Sequence, residues 1–170
     1  MNNSLKYFIY IAGSVFVFVL IMKAMYSPNL ETTNKAVAFD WEKETQVYFL
    51  DSKKMNDSSD CSEVTPVSRK VLNAETLGPG ALEALLGGPT EEERISGLLT
   101  SINKGVLIQK FEIKNGVAYV DFDPTFNSGV AGSCTVIAIR SQIENTLNAL
   151  PDIDSVIISV NGESEGILEP

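Results

Sequence analysis

The sequence predicts an α+β domain, a two-layer sandwich in which helices cover one face of a mixed or antiparallel sheet. Segments with alternating apolar residues, typical of strands, and segments with apolar residues every three or four positions, typical of helices, follow one another in the order β-β-α-α-β-β-α-β. Each helical segment carries an apolar stripe that can cover a sheet. Helices packed on one face of the sheet would therefore bury both sets of apolar side chains. The sequence does not determine the order of the strands.

An apolar segment near the N-terminus predicts a transmembrane helix over residues 7–25, after a short tail at residues 1–6. Sixteen uncharged residues lie between Lys6 and Lys23. As a helix they extend about 24 Å, and the flanking lysines can reach the membrane surfaces on either side of a hydrocarbon core of about 30 Å. A cleaved signal peptide is the competing interpretation, but no convincing small-x-small cleavage site follows the segment. The bulky C-terminal part favours an orientation with the domain outside the cell membrane.

Residues 26–44 are predicted to form a linker, because they contain turn-forming and polar residues without a sustained period. Trp41, in this linker, either packs on the edge of the domain or forms an exposed contact. The domain itself is predicted over residues 45–162, and residues 163–170 form a short acidic tail.

The domain begins with a predicted hairpin and continues with two helices. Alternation starts at Thr45, and a second β-rich run follows at residues 64–72 after a polar turn at residues 51–60. Gly87, Gly88 and Pro89 end the first helix. The second helix is predicted to start with a capping box and to continue to Ile102, on the evidence of residues with helical spacing. These are the capping residues Thr90 and Glu93, and the apolar residues Ile95, Leu98, Leu99 and Ile102.

The second half of the domain contains a hairpin signal, a long helix and a last strand. Asn115-Gly116 between two alternating runs predicts a type I′ turn, with Lys114 opposite Val117. This register places Lys110 opposite Asp121 and predicts an exposed ion pair between them. The further pairs in this register are Ile113 with Ala118, Phe111 with Val120 and Gln109 with Phe122. The helix is predicted to start at Gly132 or Ser133 and to continue until Pro151, and the strand covers residues 153–160. The apolar stripe of this helix consists of Val136, Ile139, Ile143, Leu147 and Leu150.

Charge and composition disfavour several classes of function. Residues 31–170 hold all 22 acidic residues and 11 of the 13 basic ones, which gives them a net charge of −11. Nucleic-acid phosphates and anionic lipid surfaces would repel such a domain. The chain has no histidine, which removes the commonest general base and the commonest metal ligand. We therefore expect no enzyme activity, no metal, no cofactor and no small-molecule substrate.

The two cysteines, Cys61 and Cys134, lie far apart in the sequence and belong to no CxxC motif, so a zinc site is not expected. Outside the cell membrane an oxidising compartment favours a disulfide between them. Two free thiols are the alternative.

Two carboxylates, Asp121 and Asp123, flank Phe122 and would share one face of a strand, as a metal site or an acid pair requires. A structural role explains them as well, because Lys110 lies opposite Asp121 and Asp123 can cap the turn before Pro124. A hydrolase built on this pair stays a minor hypothesis.

Six segments of the domain resemble the sporulation and spore germination (GerMN) domain family. The resemblance implies a non-enzymatic extracytoplasmic module, similar in fold to ring-building-motif domains and acting in envelope assembly, sporulation or germination. No catalytic residues come with it. The matching segments are VYFLD at 47–51, VTPVSRKV at 64–71, ALEALLGGPTEEE at 81–93, GLLTSI at 97–102, NGVAYVDFD at 115–123 and IRSQIENTLNALPDIDSVIISVNG at 139–162.

The leading hypothesis is therefore a single-pass, membrane-anchored GerMN-like module that binds an envelope protein or itself. The leucines and isoleucines of residues 81–102 are expected in the core, so outward polar side chains become the candidate partner surface. A peptidoglycan or carbohydrate-binding module that uses Trp41, Tyr48 or Tyr119 is the alternative. The candidate partner residues are Trp41, Glu83, Glu91, Glu92 and Arg94.

Overall fold

The computed structural model describes residues 16, 18, 20–23, 42–72 and 77–169. The described positions in residues 16–23 are helical. The predicted N-terminal tail, most of the predicted transmembrane helix and most of the predicted linker, Trp41 included, lie outside the described residues. Within the part of the chain that is described, no helix combines the length and the apolar character needed to cross a membrane. The elements below belong to the compact unit Asp40–Pro170.

The described elements include one short α-helix, one short 3-10 helix and one short strand that the prediction lacks. The α-helix lies in the predicted polar turn, the 3-10 helix follows β5, and the strand lies in the second predicted helix. The elements are β1 (Glu42–Asp51), α1 (Ser52–Ser58), β2 (Val64–Leu72), α2 (Leu77–Leu86), α3 (Glu91–Ser96), β3 (Leu98–Leu99), β4 (Ile108–Lys114), β5 (Val117–Phe122), a 3-10 helix (Pro124–Asn127), α4 (Ser133–Asn148) and β6 (Ser155–Val160).

The described strands form two three-stranded sheets. The predicted α+β class is confirmed, whereas the prediction of a single sheet is wrong. One sheet has the order β2-β1-β3 and is antiparallel. The other has the order β4-β5-β6, with β4 and β5 antiparallel and β5 and β6 parallel. Alternation along a strand shows which side chains are buried but not which edges pair, and for this reason the sequence could not separate the two sheets.

Helices α2 and α4 pack on each other and on β1. The residues predicted for the apolar stripe of the long helix are all buried, which confirms that helix, although it ends at Asn148 and not at Pro151. The core also includes side chains from both sheets, among them Val47, Phe49, Val120 and Phe122. The helices and both sheets therefore share one hydrophobic cluster.

The β4–β5 hairpin has the predicted register near its turn. Lys114 lies opposite Val117, and a bulge between Ile108 and Lys110 then places Ile108, and not Gln109, opposite Phe122. Lys110 lies opposite Asp121, as predicted. The prediction of an ion pair between them is nevertheless wrong, because Lys110 pairs instead with Glu112, with Nζ 3.4 Å from Oε2. Asp121 Oδ1 accepts instead from the backbone N–H of Gly162 at 2.8 Å and from a serine hydroxyl of β6 at 2.6 Å.

Two predicted boundaries of the first hairpin change. Strand β1 begins at Glu42, so residues 42–44 belong to the strand and not to the predicted linker. The predicted polar turn contains α1, because Asp51 caps this helix by accepting from Lys53 N and Lys54 N. Asp51 also accepts from Thr65 Oγ1 at 2.8 Å, and this hydrogen bond, with those from the cap, lowers the pKa of Asp51.

The second central helix is shorter than predicted. It ends at Ser96, and Gly97 has a φ of 108° in the left-handed region. The carbonyl of Gly97 accepts from Ser52 N at 3.1 Å and from Ser52 Oγ at 2.8 Å. Leu98 and Leu99 then pair with the end of β1. The prediction of a helix to Ile102 is wrong because pairing with β1 replaces further helical hydrogen bonds.

A disulfide joins Cys61 to Cys134, with their Cα atoms 5.3 Å apart. It links the loop before β2 to the first turn of α4. The predicted pairing is confirmed.

Candidate interaction surface

The break between α2 and α3 fixes where the predicted partner residues lie. Gly88 has a φ of 76°, and Pro89 follows it. Thr90 then caps α3, since Thr90 Oγ1 accepts from Glu93 N at 3.3 Å and Thr90 N donates to Glu93 Oε2 at 2.8 Å. The predicted capping box is confirmed.

Glu93 also ties α3 to strand β2, a contact that the sequence did not indicate. Arg69 donates from Nη1 to Glu93 Oε1 at 2.8 Å and from Nη2 to Glu93 Oε2 at 2.5 Å. The guanidinium carbon of Arg69 lies 5.5 Å from the ring centroid of Phe49. The Arg69 guanidinium, with the Thr90 amide, holds the pKa of Glu93 below its usual value. This two-hydrogen-bond pair holds α3 in a fixed position on the sheet.

The predicted partner residues that are described all lie at the surface. Glu83, Glu91, Glu92 and Arg94 are exposed. Arg94 Nη2 lies 2.6 Å from Glu91 Oε2, and Arg94 Nη1 donates to the Pro89 carbonyl. These contacts hold Arg94 against its own helix. Glu83 belongs to α2, before the Gly87–Pro89 break.

Two apolar side chains that the sequence assigned to the core are exposed on the same segment. Ile95 is 78% exposed and Leu99 is 46% exposed. Ile95 lies three and four residues after Glu92 and Glu91, so on helix α3 it lies next to both. Gly97 was the signal that could have shown this, because a glycine in the C-cap position interrupts the apolar stripe. We name Glu91, Glu92, Arg94, Ile95 and Leu99 the α3 surface.

The two carboxylates considered for catalysis hold turns together. Asp123 Oδ1 accepts from Leu107 N at 2.7 Å, and Asp123 Oδ2 accepts from Thr125 N at 3.1 Å. The Leu107 amide and the Thr125 hydroxyl lower the pKa of Asp123. The serine and glycine contacts of Asp121 are given above. Among the described residues, no three or more histidine, cysteine, aspartate or glutamate side chains are placed to hold a metal ion.

The aromatic residues of the carbohydrate hypothesis lie in different sheets. Tyr48 is half-buried on β1. Tyr119 on β5 is 40% exposed, and Lys114 Nζ lies 6.0 Å from its ring centroid. Ile157, opposite Tyr119 in β6, is 43% exposed. Tyr119 therefore lies beside an exposed apolar neighbour, whereas Trp41 lies outside the described residues.

Comparison with known proteins gives the family. The model of the Germane family, described as sporulation and spore germination, matches residues 46–166. The chain belongs to this family. Over 127 residues it is 31% identical to the spore germination protein GerM of Bacillus subtilis (strain 168), and the match covers 72% of this chain and 32% of GerM. The chain therefore spans about a third of the length of this relative.

Solved structures of the same family share the fold. The tandem GerMN domains of the sporulation protein GerM from Bacillus subtilis match with a TM-score of 0.57 and 26% identity, over 75% of this chain and 42% of that chain. The first GerMN domain of the same protein matches with a TM-score of 0.56 and 22% identity, over 72% of this chain and 85% of that chain. The predicted family membership is confirmed.

Proposed function

We propose that this chain is a non-enzymatic module, anchored in the cell membrane by its N-terminal helix, that acts in envelope assembly during sporulation or germination by binding another envelope protein. The observation that carries this proposal is the α3 surface. Its exposed Ile95 and Leu99 lie on the same short segment as Glu91, Glu92 and Arg94. Exposed apolar side chains near charged ones are a common composition of protein interfaces.

Two observations support a domain outside the membrane. Cysteines in an oxidising compartment form lasting disulfides, whereas cytosolic thiols stay reduced, and Cys61 and Cys134 are paired. The apolar segment between Lys6 and Lys23 is long enough for a membrane helix with snorkelling lysines. Its described side chains Phe16 and Phe18 are 67% and 64% exposed, as suits contact with lipid.

A protein partner suits the charges of the domain better than nucleic acid does. Residues 31–170 carry a net charge of −11, which opposes binding to phosphates. The name of the relative GerM supports the setting, because it refers to sporulation and germination in Bacillus subtilis. Glu83 on α2 extends the proposed partner surface beyond the α3 surface.

Affinity purification with a matched control tests this function. The tagged full chain is extracted from native membranes in mild detergent, alongside the variant Glu91→Lys/Glu92→Lys/Ile95→Asp and the control Glu163→Lys/Glu165→Lys on the exposed C-terminal segment. We expect an envelope protein to purify with the wild type and the control but not with the first variant. Equal recovery with all three chains, or recovery of cytoplasmic proteins alone, would contradict the proposal.

Peptidoglycan or carbohydrate binding is the second candidate, favoured by the exposed Tyr119 beside Ile157. Aromatic rings with an exposed face can pack against sugar rings. Sedimentation of the full chain with purified cell walls tests it, with Tyr119→Ala as the variant. A wild-type chain that stays in the supernatant would exclude this function.

A further inference from the structure

Among the described residues, one edge of strand β1 has backbone groups without a partner. On one side, residues 42–50 pair with β2, while on the other side β3 pairs only with Leu50 and Asp51. Tyr48 N points away from β2, because it donates to Thr146 Oγ1 at 3.0 Å. Glu44 and Gln46 precede Tyr48 by even steps, so their N–H and C=O groups point to the same side. No described residue pairs with them there.

A groove with a volume of about 750 Å³ lies beside this edge and extends to β2. Glu44, Gln46 and Tyr48 line it from β1, and Ser68 lines it from β2. Leu77 lines it from the start of α2, and Leu150 and Pro151 line it after the end of α4. Glu44 Oε1 accepts from Ser68 Oγ. Glu44 is the only charged residue among the described residues that line it. The carbonyl groups at the end of α4 add partial negative charge near Leu150. The groove thus combines a strand edge, a polar wall from β1 and β2, an apolar wall from the ends of α2 and α4, and a negative charge.

The outer edge of β2 differs from this edge. Pro66 lies opposite Tyr48, and since Tyr48 N points away from β2, the Pro66 nitrogen faces outward. A proline at an outer edge blocks the addition of another strand. Residues 42–46 of β1 contain no proline. The chain therefore closes one edge of this sheet and leaves the other able to pair.

We propose that the free edge of β1 binds an extended segment of a partner protein that carries lysine or arginine, as an added strand. The segment pairs with Glu44 and Gln46, and its basic side chain lies near Glu44 and the end of α4. A second copy of the chain fits less well, because two domains with a net charge of −11 repel each other. This inference rests on the proposed protein-binding function and assigns it a second site, separate from the α3 surface.

A peptide library tests this site. Random ten-residue peptides displayed on phage are selected against the full chain in detergent micelles. We expect the recovered peptides to contain lysine or arginine and to lack proline in the paired segment. Hydrogen exchange should show greater protection at the amides of Glu44 and Gln46 in the complex than in the free chain.

One variant and a matched control test the charged residue of the groove. We expect Glu44→Lys to weaken binding of the selected peptides about ten-fold or more, while Glu165→Lys, which makes the same charge change on the C-terminal segment, stays within about two-fold of the wild type. Melting temperatures of both show whether a loss of binding reflects unfolding.

Several results would overturn the site. They are the recovery of no peptide, peptides without basic residues, protection outside residues 42–48, or equal binding to the wild type and to Glu44→Lys. A dimer that dissociates in Glu44→Lys would show a second copy on this edge and would also overturn it. A membrane partner lost with the Glu91, Glu92 and Ile95 changes but kept with Glu44→Lys would leave the proposed function standing without this site.

Discussion

Replacing Arg69 with methionine should destabilise the domain by about 2 kcal/mol at pH 7. Methionine keeps an unbranched side chain over Phe49 but removes the guanidinium that binds Glu93. The pair is made by two hydrogen bonds, of 2.8 Å and 2.5 Å, and each side chain is 20% exposed. A hydrogen bond to a charged group contributes about 1.5–3 kcal/mol, against about 0–1 kcal/mol for an exposed ion pair.

The same chain offers a matched control. Lys70, next to Arg69 on β2, forms an ion pair with Glu42, and their side chains are 76% and 50% exposed. Lys70→Met should therefore change the free energy of unfolding by no more than about 0.5 kcal/mol. Urea denaturation of the full chain in detergent, followed by circular dichroism, measures both variants against the wild type.

The effect of Arg69→Met should depend on pH. The Arg69 guanidinium lowers the pKa of Glu93 from 4.5, so its stabilisation is fully present above pH 4.5 and is lost as the pH falls through the pKa of the folded state. The difference between wild type and variant should stay constant from pH 7 to about pH 5 and shrink below that. This reasoning would be refuted if Arg69→Met lowered the free energy of unfolding by less than about 0.5 kcal/mol at pH 7. It would also be refuted if the difference between wild type and variant were the same at pH 3 as at pH 7.

Three further variants test the fold. In the Cys61→Ser/Cys134→Ser variant the free energy of unfolding should fall by about 4 kcal/mol, because the disulfide closes a sequence separation of 73 residues. A fall of less than about 1 kcal/mol in urea denaturation would contradict this. Gly97→Ala should lower the free energy of unfolding by about 1–2 kcal/mol, because Gly97 has a φ of 108° and a Cβ atom there would lie 2.9 Å from Ser52 Oγ. An unchanged melting temperature would contradict the described turn. Ile95→Asp should leave the free energy of unfolding within about 0.5 kcal/mol of the wild type, because its side chain is 78% exposed; a large loss would show that Ile95 is buried.

Local patterns in the sequence predicted the elements that local physics determines. The stripe of α4 predicted its buried residues, since a helix of this length buries one face. Asn115-Gly116 predicted the hairpin register near the turn, because a two-residue turn fixes which residues lie opposite each other. The Thr90–Glu93 capping box needs only its own four residues. These predictions depend on neighbours in the sequence and are confirmed.

The predictions that failed depend on contacts between distant residues. Strand β3 exists because Leu98 and Leu99 meet the end of β1, and no periodicity within residues 91–102 records that contact. The pairing of Arg69 with Glu93 joins residues 24 positions apart. Part of the candidate surface was missed for the same reason, because the exposure of Ile95 follows from the end of α3 at Ser96.

Photo-crosslinking in intact cells tests the central claim, a membrane-anchored domain that binds an envelope protein, most directly. A crosslinking amino acid is placed in the full chain at Glu92 on the α3 surface and, as a control, at exposed Glu165 on the C-terminal segment. We predict a defined adduct with an envelope protein from Glu92 and none with that protein from Glu165. Adducts with cytoplasmic proteins alone, or the same adducts from both positions, would contradict the account.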